Sequence, residues 1–167
     1  MDGCGKSLIL LILSLVTLCC SLILFIIGLF TVSWMKTSGV GTSYDYGLFK
    51  ERDCDRDRCT YTTWSEIMNE DWYRATQAME CLGLISLVLA LLVLLLYFCV
   101  PSCKVRKALY GMIFFTFLAV MFIVIGIAIF GSTFDEKGFD VGWSMGLAIA
   151  AALLAFISGI LQILEMT

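Results

Sequence analysis

Four long apolar stretches without a single charged residue dominate the chain, and short polar segments separate them. The stretches cover residues 7–30, 81–100, 108–133 and 141–164. Each is long enough for the roughly 20 apolar residues with which an α-helix crosses the ~30 Å hydrocarbon core of a bilayer. Inside that core the backbone must satisfy its own hydrogen bonds, so helices are expected. The pattern therefore predicts an all-α membrane protein with four spans.

We predict one membrane domain over residues 1–167. The apolar stretch of the first segment is too long for a signal peptide and lacks a good cleavage site, so we interpret it as a retained span. The predicted spans lie at about 7–30, 78–100, 108–131 and 141–164, with long and short connecting loops at 31–77 and 132–140 and a third loop at 101–107.

Composition supports a membrane protein and argues against an enzyme. The chain is 60% hydrophobic and 15% charged, whereas a globular chain carries about a quarter charged residues. A net charge of -3 without a basic stripe gives no indication of a nucleic-acid partner. There is no His, the usual general base, and no nucleophile or phosphate-binding motif. We therefore expect no catalytic residues, no cofactor and no metal.

The charges of the loops predict the orientation. The short loop 101–107 carries three basic residues and no acid, and short basic loops stay cytoplasmic. Both termini are then cytoplasmic, and loops 31–77 and 132–140 lie outside. Cys54 and Cys59 are the two cysteines of the large outer loop, where an oxidising compartment allows a disulfide.

The large outer loop predicts a β-hairpin. Residues 44–49 and 59–64 are rich in aromatic and β-branched side chains, which favour strands. Cys54 and Cys59 would face each other across the hairpin, and their disulfide would contribute about 2 kcal/mol and fix the register. A zinc site needs about four ligands, which this pair does not supply.

The tip of this hairpin carries alternating acids that resemble the start of a calcium loop. The glycine at the sixth position and the glutamate at the twelfth are missing, so we predict a solvated, salt-bridged tip. The acids are Asp53, Asp55 and Asp57, and the neutralising arginines are Arg52, Arg56 and Arg58. Residues 65–74 are compatible with a helix that leads into the second span.

The order of several residues resembles the signature of the claudin superfamily. These are Trp34, then Gly47-Leu48-Phe49, then Cys54 and Cys59, followed by a helix entry at 72–79. The superfamily includes the claudins, the epithelial membrane and peripheral myelin proteins and the PERP-like junction proteins. The resemblance implies a claudin-like, left-handed four-transmembrane-helix bundle capped by a small antiparallel extracellular β-sheet.

Two positions depart from the claudin pattern. Phe49 replaces the usual second tryptophan, and Gln77 stands where claudins carry Arg, as in the myelin and epithelial branch. Residues 81–83, Cys-Leu-Gly, are most similar to the PERP-like branch. Residues 165–167, which follow the fourth span, are not a claudin-type Tyr-Val ending.

The fourth span carries small residues at a spacing of four, which lets helices approach closely. We expect them to pack within the bundle, with lateral self-association as the alternative. The candidate contact residues are Gly142, Gly146, Ala150, Ala155 and Gly159.

Two further features lie in or near the spans. Glu80 is the ionisable residue placed inside the membrane, where such residues are functional candidates. We expect it to snorkel to the surface or to pair with Gln77 or a loop cation. Cys99 and Cys103 flank the cytoplasmic end of the second span and are candidate palmitoylation sites.

The resemblance implies three functions. The first is a cell–cell junction or adhesion protein of the plasma membrane that contacts lipid and associates with itself laterally and across the cell gap. The second is an auxiliary subunit that modulates a channel or receptor. The third is a membrane organiser of the PERP or epithelial type that is linked to cell death.

Overall fold

Four long helices form the molecule in a computed structural model. The model describes residues 3–39, 42–55, 58–63, 66–99, 106–137 and 140–166, with side chains for residues 8–37, 43–54, 58–63, 66–99, 107–133 and 140–166. The helices are α1 (Gly3–Phe30), α2 (Asp71–Cys99), α3 (Arg106–Lys137) and α4 (Trp143–Met166). A short 3₁₀ turn, Ile67–Asn69, precedes α2.

All four helices are long and apolar enough to cross a membrane. Their outward faces carry many exposed Leu, Ile, Val and Phe side chains. In water this much exposed apolar surface would be unfavourable, but lipid tails solvate it without cost. The predicted four-span fold is confirmed.

The helices pack as two close pairs, α1 with α4 and α2 with α3, and α3 also packs on α4. Fully buried side chains from all four helices form the middle of the bundle, including Leu18, Phe25, Leu87, Ile123 and Ala151. Close packing rather than water exclusion holds such helices together in lipid.

A five-stranded antiparallel sheet caps one end of the bundle, which we name the sheet end. Its strands are β1 (Met35–Gly39), β2 (Thr42–Tyr46), β3 (Glu51–Asp55), β4 (Arg58–Thr62) and β5 (Asp140–Val141). The spatial order is β4-β3-β2-β1-β5. Four strands connect α1 to α2, and β5 directly precedes α4. The small antiparallel sheet implied by the family resemblance is confirmed.

The predicted hairpin between residues 44–49 and 59–64 is wrong. The charged segment Glu51–Asp55 is itself a strand and pairs with both β2 and β4. Charged residues are stable in a strand when side chains on neighbouring strands pair with them on each face of the sheet. A strand-propensity scale does not include such pairing. The cysteine-bearing hairpin is therefore β3–β4.

Two helices extend beyond the predicted membrane spans. Helix α2 begins at Asp71, within the stretch 65–74 for which a helical lead-in to the span is predicted, and α3 continues to Lys137 through most of the predicted loop 132–140. Hydropathy locates the part of a helix that lies in lipid, but it does not locate polar helical turns that continue outside the lipid. The extra turns lift the helix ends to the level of the sheet.

Candidate interaction surface

Trp34 ties the sheet to the helices. Its side chain is fully buried, its Nε1 donates a hydrogen bond of 2.7 Å to the carbonyl of Gly28, and its ring lies edge-on to Phe130 at 5.4 Å. Its backbone N–H donates to Tyr46, and its carbonyl accepts from the N–H of Gly142. One residue thus connects α1, β2 and the start of α4.

The turn after β2 forms the second anchor. The N–H of Gly47 donates to the carbonyl of Lys50 at 2.8 Å, which closes a tight turn. The Tyr73 hydroxyl donates to the carbonyl of Gly47, and Gln77 Nε2 donates to that of Leu48 at 2.6 Å. Side chains at the start of α2 therefore satisfy the turn carbonyls, which would otherwise be buried without partners.

Phe49 and Tyr73 complete this junction. Phe49 stacks on Phe30, the last residue of α1, with ring centroids 5.9 Å apart. Tyr73 is fully buried and also contacts Phe130. The sequence marked the helix entry at 72–79 but did not single out Tyr73, because an aromatic residue at a helix start is equally compatible with an interfacial anchor.

The Cys54–Cys59 disulfide locks the outermost hairpin. The two residues are directly opposed across β3 and β4, with their Cα atoms 4.1 Å apart. The predicted disulfide is present in the structure. Every residue of the edge strand β4 is exposed, including Tyr61.

A row of alternating charge crosses the whole sheet at one register. Strand pairing places Asp140, Lys36, Asp45, Arg52 and Tyr61 side by side, one from each strand. Successive side chains in a strand point to opposite faces, and the neighbouring Met35 belongs to the buried core. The row therefore lies on the face turned away from the bundle, and we name it the charged row.

Asp45 is the centre of the charged row. Its carboxylate is buried, accepts a hydrogen bond from Arg52 Nη2 and lies 4.0 Å from Lys36 Nζ. The hydrogen bond to Asp45 raises the pKa of Arg52 above its ordinary value. The expectation that Arg52 neutralises the hairpin tip is wrong, since it pairs with a neighbouring strand; the side chains of Asp55, Arg56 and Asp57 lie outside the described residues.

The face turned toward the bundle carries a different pair. Tyr46 and Glu51 are opposed across β2 and β3, and Glu51 is buried. Burial raises the pKa of Tyr46, and the neighbouring charge of Glu51 adds to the shift. Tyr46 therefore stays a neutral phenol and supports the underside of the sheet.

The expectation that Glu80 snorkels to the surface or pairs with Gln77 is wrong. Its side chain is fully buried between α2 and α3, and among the described residues neither carboxyl oxygen has a hydrogen-bond partner. The carboxyl group lies over Gly126, where an added Cβ would come within 2.5 Å of Oε1. Gln77 is occupied with Leu48.

We expect replacement of Glu80 by methionine to raise the free energy of unfolding by about 1–2 kcal/mol, since a buried polar group without a partner costs about that much. Glu80→Gln should change little, because the amide is equally unpartnered. Unfolding of both variants in mixed micelles measures the difference. A destabilised Glu80→Met beside an unchanged Glu80→Gln would show that a polar group is needed there.

The bundle contains a buried polar cluster that the sequence did not predict. Gln162 of α4 donates to Ser14 of α1 at 3.1 Å and accepts from Thr116 of α3 at 3.1 Å. Ser14 and Ser158 are also hydrogen-bonded, at 2.9 Å. The cluster connects three helices at the end opposite the sheet. Small hydroxyl residues do not interrupt an apolar run, so hydropathy gives no signal for them.

The predicted small contact residues divide between different surroundings. Ala155 is fully buried, and a Cβ on Gly159 would meet the Phe117 ring of α3 at 3.0 Å. The backbone of Gly142 packs against that of Ser33. The other two differ: Gly146 is exposed, Ala150 is half-buried, and no described residue lies within 4 Å of a Cβ placed on Gly146.

The two candidate palmitoylation sites are Cys99 and Cys103. Cys99 is exposed at the end of α2, and Cys103 lies outside the described residues, so palmitoylation stays a prediction. Across the described part of the chain, no group of His, Cys, Asp or Glu is arranged to hold a metal ion.

Fold and surface together define a four-span membrane protein whose first connection is a disulfide-locked sheet fixed rigidly to the helices. A family model described as the PMP-22/EMP/MP20/Claudin family matches residues 7–162. The chain therefore belongs to this family, a structural membrane family rather than a family of enzymes. No curated protein sequence matches the chain.

Proposed function

We propose that this protein is a cell–cell junction protein that associates with itself through the sheet. It lies in the plasma membrane with the sheet outside and both termini in the cytoplasm, as the basic loop 101–107 favours. Family membership supports a junction-type membrane protein.

The exposed edge strand β4 is the observation that carries the proposal. An edge strand presents unpaired backbone N–H and C=O groups that can add a strand from another chain. All of Arg58–Thr62 is exposed, and the disulfide keeps this strand in register with β3. Two copies related by a two-fold axis can pair such edges within one membrane, since the same patch serves both partners.

The charged row supports contact between copies on opposing membranes. Read from β5, its charges are negative, positive, negative and positive. Asp45 is buried and paired within its own sheet, but Asp140 and Lys36 are exposed, and turned end for end on a second copy these two can meet charges of opposite sign. Such complementarity selects partners and orientation more than it adds affinity.

The experiment is to express the tagged protein in cells without junctions and to mix expressing with non-expressing cells. Enrichment only at contacts between two expressing cells would support adhesion between identical copies. A uniform surface distribution would contradict it, and co-purification of a channel or receptor would then favour the auxiliary-subunit alternative.

We predict that Cys54→Ser abolishes enrichment at contacts. Without the disulfide, which contributes about 2 kcal/mol for so short a loop, the edge strand loses its fixed register. The matched control is Cys20→Ser, because Cys20 is an exposed free cysteine within α1. Surface biotinylation must show equal delivery of both variants. If Cys54→Ser were enriched at cell contacts as strongly as the unchanged protein, β4 would not be the contact surface.

A further inference from the structure

Two adjoining cavities open beside the start of α2 at the sheet end. The first has a volume of about 290 Å³ and is lined by Phe49, Thr63, Met68, Asn69, Arg74 and Gln77. The second has a volume of about 270 Å³ and is lined by Glu66, Asn69, Glu70 and Asp71. Asn69 lines both, so the cavities are neighbours.

The cavities lie at the level of the lipid headgroups. Helix α2 has 29 residues, more than the roughly 20 that the hydrocarbon core requires. Its described charged residues are all in its first three turns, at Asp71, Arg74 and Glu80, so the surplus length projects at the sheet end. Phe30 is the last residue of the apolar span of α1, is exposed and stacks on Phe49 of the first cavity, so this cavity lies where that span ends.

The two cavities have opposite charge. Arg74 is exposed, and within the described part of the chain its guanidinium has no ion pair or side-chain hydrogen bond, although Glu70 lies four residues earlier on the same helix end. Among the described residues that line the first cavity it is the one cation, and Asn69 and Thr63 add polar groups. The described lining of the second cavity presents three carboxylates and no cation.

We propose that these cavities bind the headgroup of a zwitterionic phospholipid. The phosphodiester binds in the first cavity, where an arginine is suited to a phosphate, and the headgroup ammonium binds in the second. Phe49 and Met68 then pack against the glycerol end, and the lipid tails pass the exposed ring of Phe30. With volumes of about 290 and 270 Å³, each cavity has room for one of the two charged groups of a headgroup.

The arrangement selects against purely anionic lipids. A phosphate alone would meet the attraction of Arg74 together with the repulsion of Glu66, Glu70 and Asp71. A zwitterion avoids this repulsion because its own cation lies between the phosphate and the carboxylates. This inference does not depend on the proposed adhesion, since a headgroup bound at one copy needs no second copy.

The test is native mass spectrometry of the purified full-length chain in micelles that contain equal phosphatidylcholine and phosphatidylglycerol with the same acyl chains. Phosphatidylcholine should be retained preferentially. Arg74→Gln should lower its retention about tenfold, because a charge-assisted hydrogen bond contributes about that factor or more. The matched control, Arg58→Gln on the exposed strand β4, should leave retention unchanged.

Further variants keep the outcome decisive. Arg74→Lys should retain most binding, and Glu70→Gln should shift retention toward phosphatidylglycerol. If Arg74→Gln fails to fold, Asn69→Ala should show the same loss, because Asn69 lines both cavities and is itself exposed. Equal retention by Arg74→Gln and Arg58→Gln, equal binding of the two lipids, or displacement by inorganic phosphate would each overturn the proposal.

Discussion

Replacement of Trp34 by alanine is expected to lower the free energy of unfolding by about 3–5 kcal/mol, the usual cost of deleting a buried aromatic side chain. The indole is fully buried, packs edge-on against Phe130 and donates to the Gly28 carbonyl. Its loss removes the packing that fixes the sheet to α1 and α3. We therefore expect the sheet to unfold separately from the bundle, with reduced delivery to the cell surface.

Trp34→Phe separates the two contributions. It retains most of the packing but leaves the Gly28 carbonyl without the 2.7 Å hydrogen bond, so a loss of about 1–2 kcal/mol is expected. Thermal unfolding in micelles, followed by near-ultraviolet circular dichroism, measures both variants. Tyr61→Ala is the control, since Tyr61 is 64% exposed and its loss should change stability by less than about 0.5 kcal/mol. An equal loss in Trp34→Phe and Trp34→Ala would assign the anchoring to the hydrogen bond alone.

The membrane spans and the cysteine pair could be predicted because their signals are local. A run of apolar residues as long as a bilayer is thick has few soluble explanations. Likewise, Cys54 and Cys59 are close enough in sequence to face each other in a hairpin. Neither prediction needs any knowledge of which elements become neighbours.

Strand β3 could not be predicted from composition, since its residues are charged and have low strand propensity. It forms because Arg52 donates a hydrogen bond to Asp45 on β2 and Glu51 is hydrogen-bonded to Tyr46, also on β2. These are contacts between strands, and they depend on a register that the sequence does not state. The same holds for the charged row, whose Asp140 arrives from beyond α3.

The burial and the hydrogen-bond partners of polar residues within the spans depend on how the helices pack and could not be predicted from the sequence. Glu80 near a helix end fits equally with snorkelling and with burial against a neighbouring glycine, and only the rotation of α2 against α3 decides between them. Gln162 gave no signal because one amide in an apolar run does not lower its hydropathy enough. In each case the deciding partner, Gly126 or Ser14, lies on another helix.

Replacement of Gly47 by alanine is expected to cost at least about 3 kcal/mol, at the upper end for overpacking. A Cβ there would lie 2.6 Å from the carbonyl oxygen of Thr31 and 2.7 Å from Cα of Val32. Both are backbone atoms and cannot rotate away. The turn must therefore separate from the end of α1, which also breaks the hydrogen bond from Tyr73 to the Gly47 carbonyl.

Matched glycine replacements test this steric argument directly. Gly142→Ala should be similarly costly, because its Cβ would clash with the Ser33 backbone. A Cβ at Gly111 of α3 or Gly146 of α4 would have no described residue within 4 Å, and alanine should stabilise each helix by about 0.5–1 kcal/mol. All four variants change one hydrogen to one methyl group, so unfolding in the same micelles compares them on equal terms. If Gly47→Ala proved as stable as Gly146→Ala, the turn would not pack against the end of α1 as closely as the structure shows. The rigidity of the sheet would then depend on the disulfide and the charged row alone.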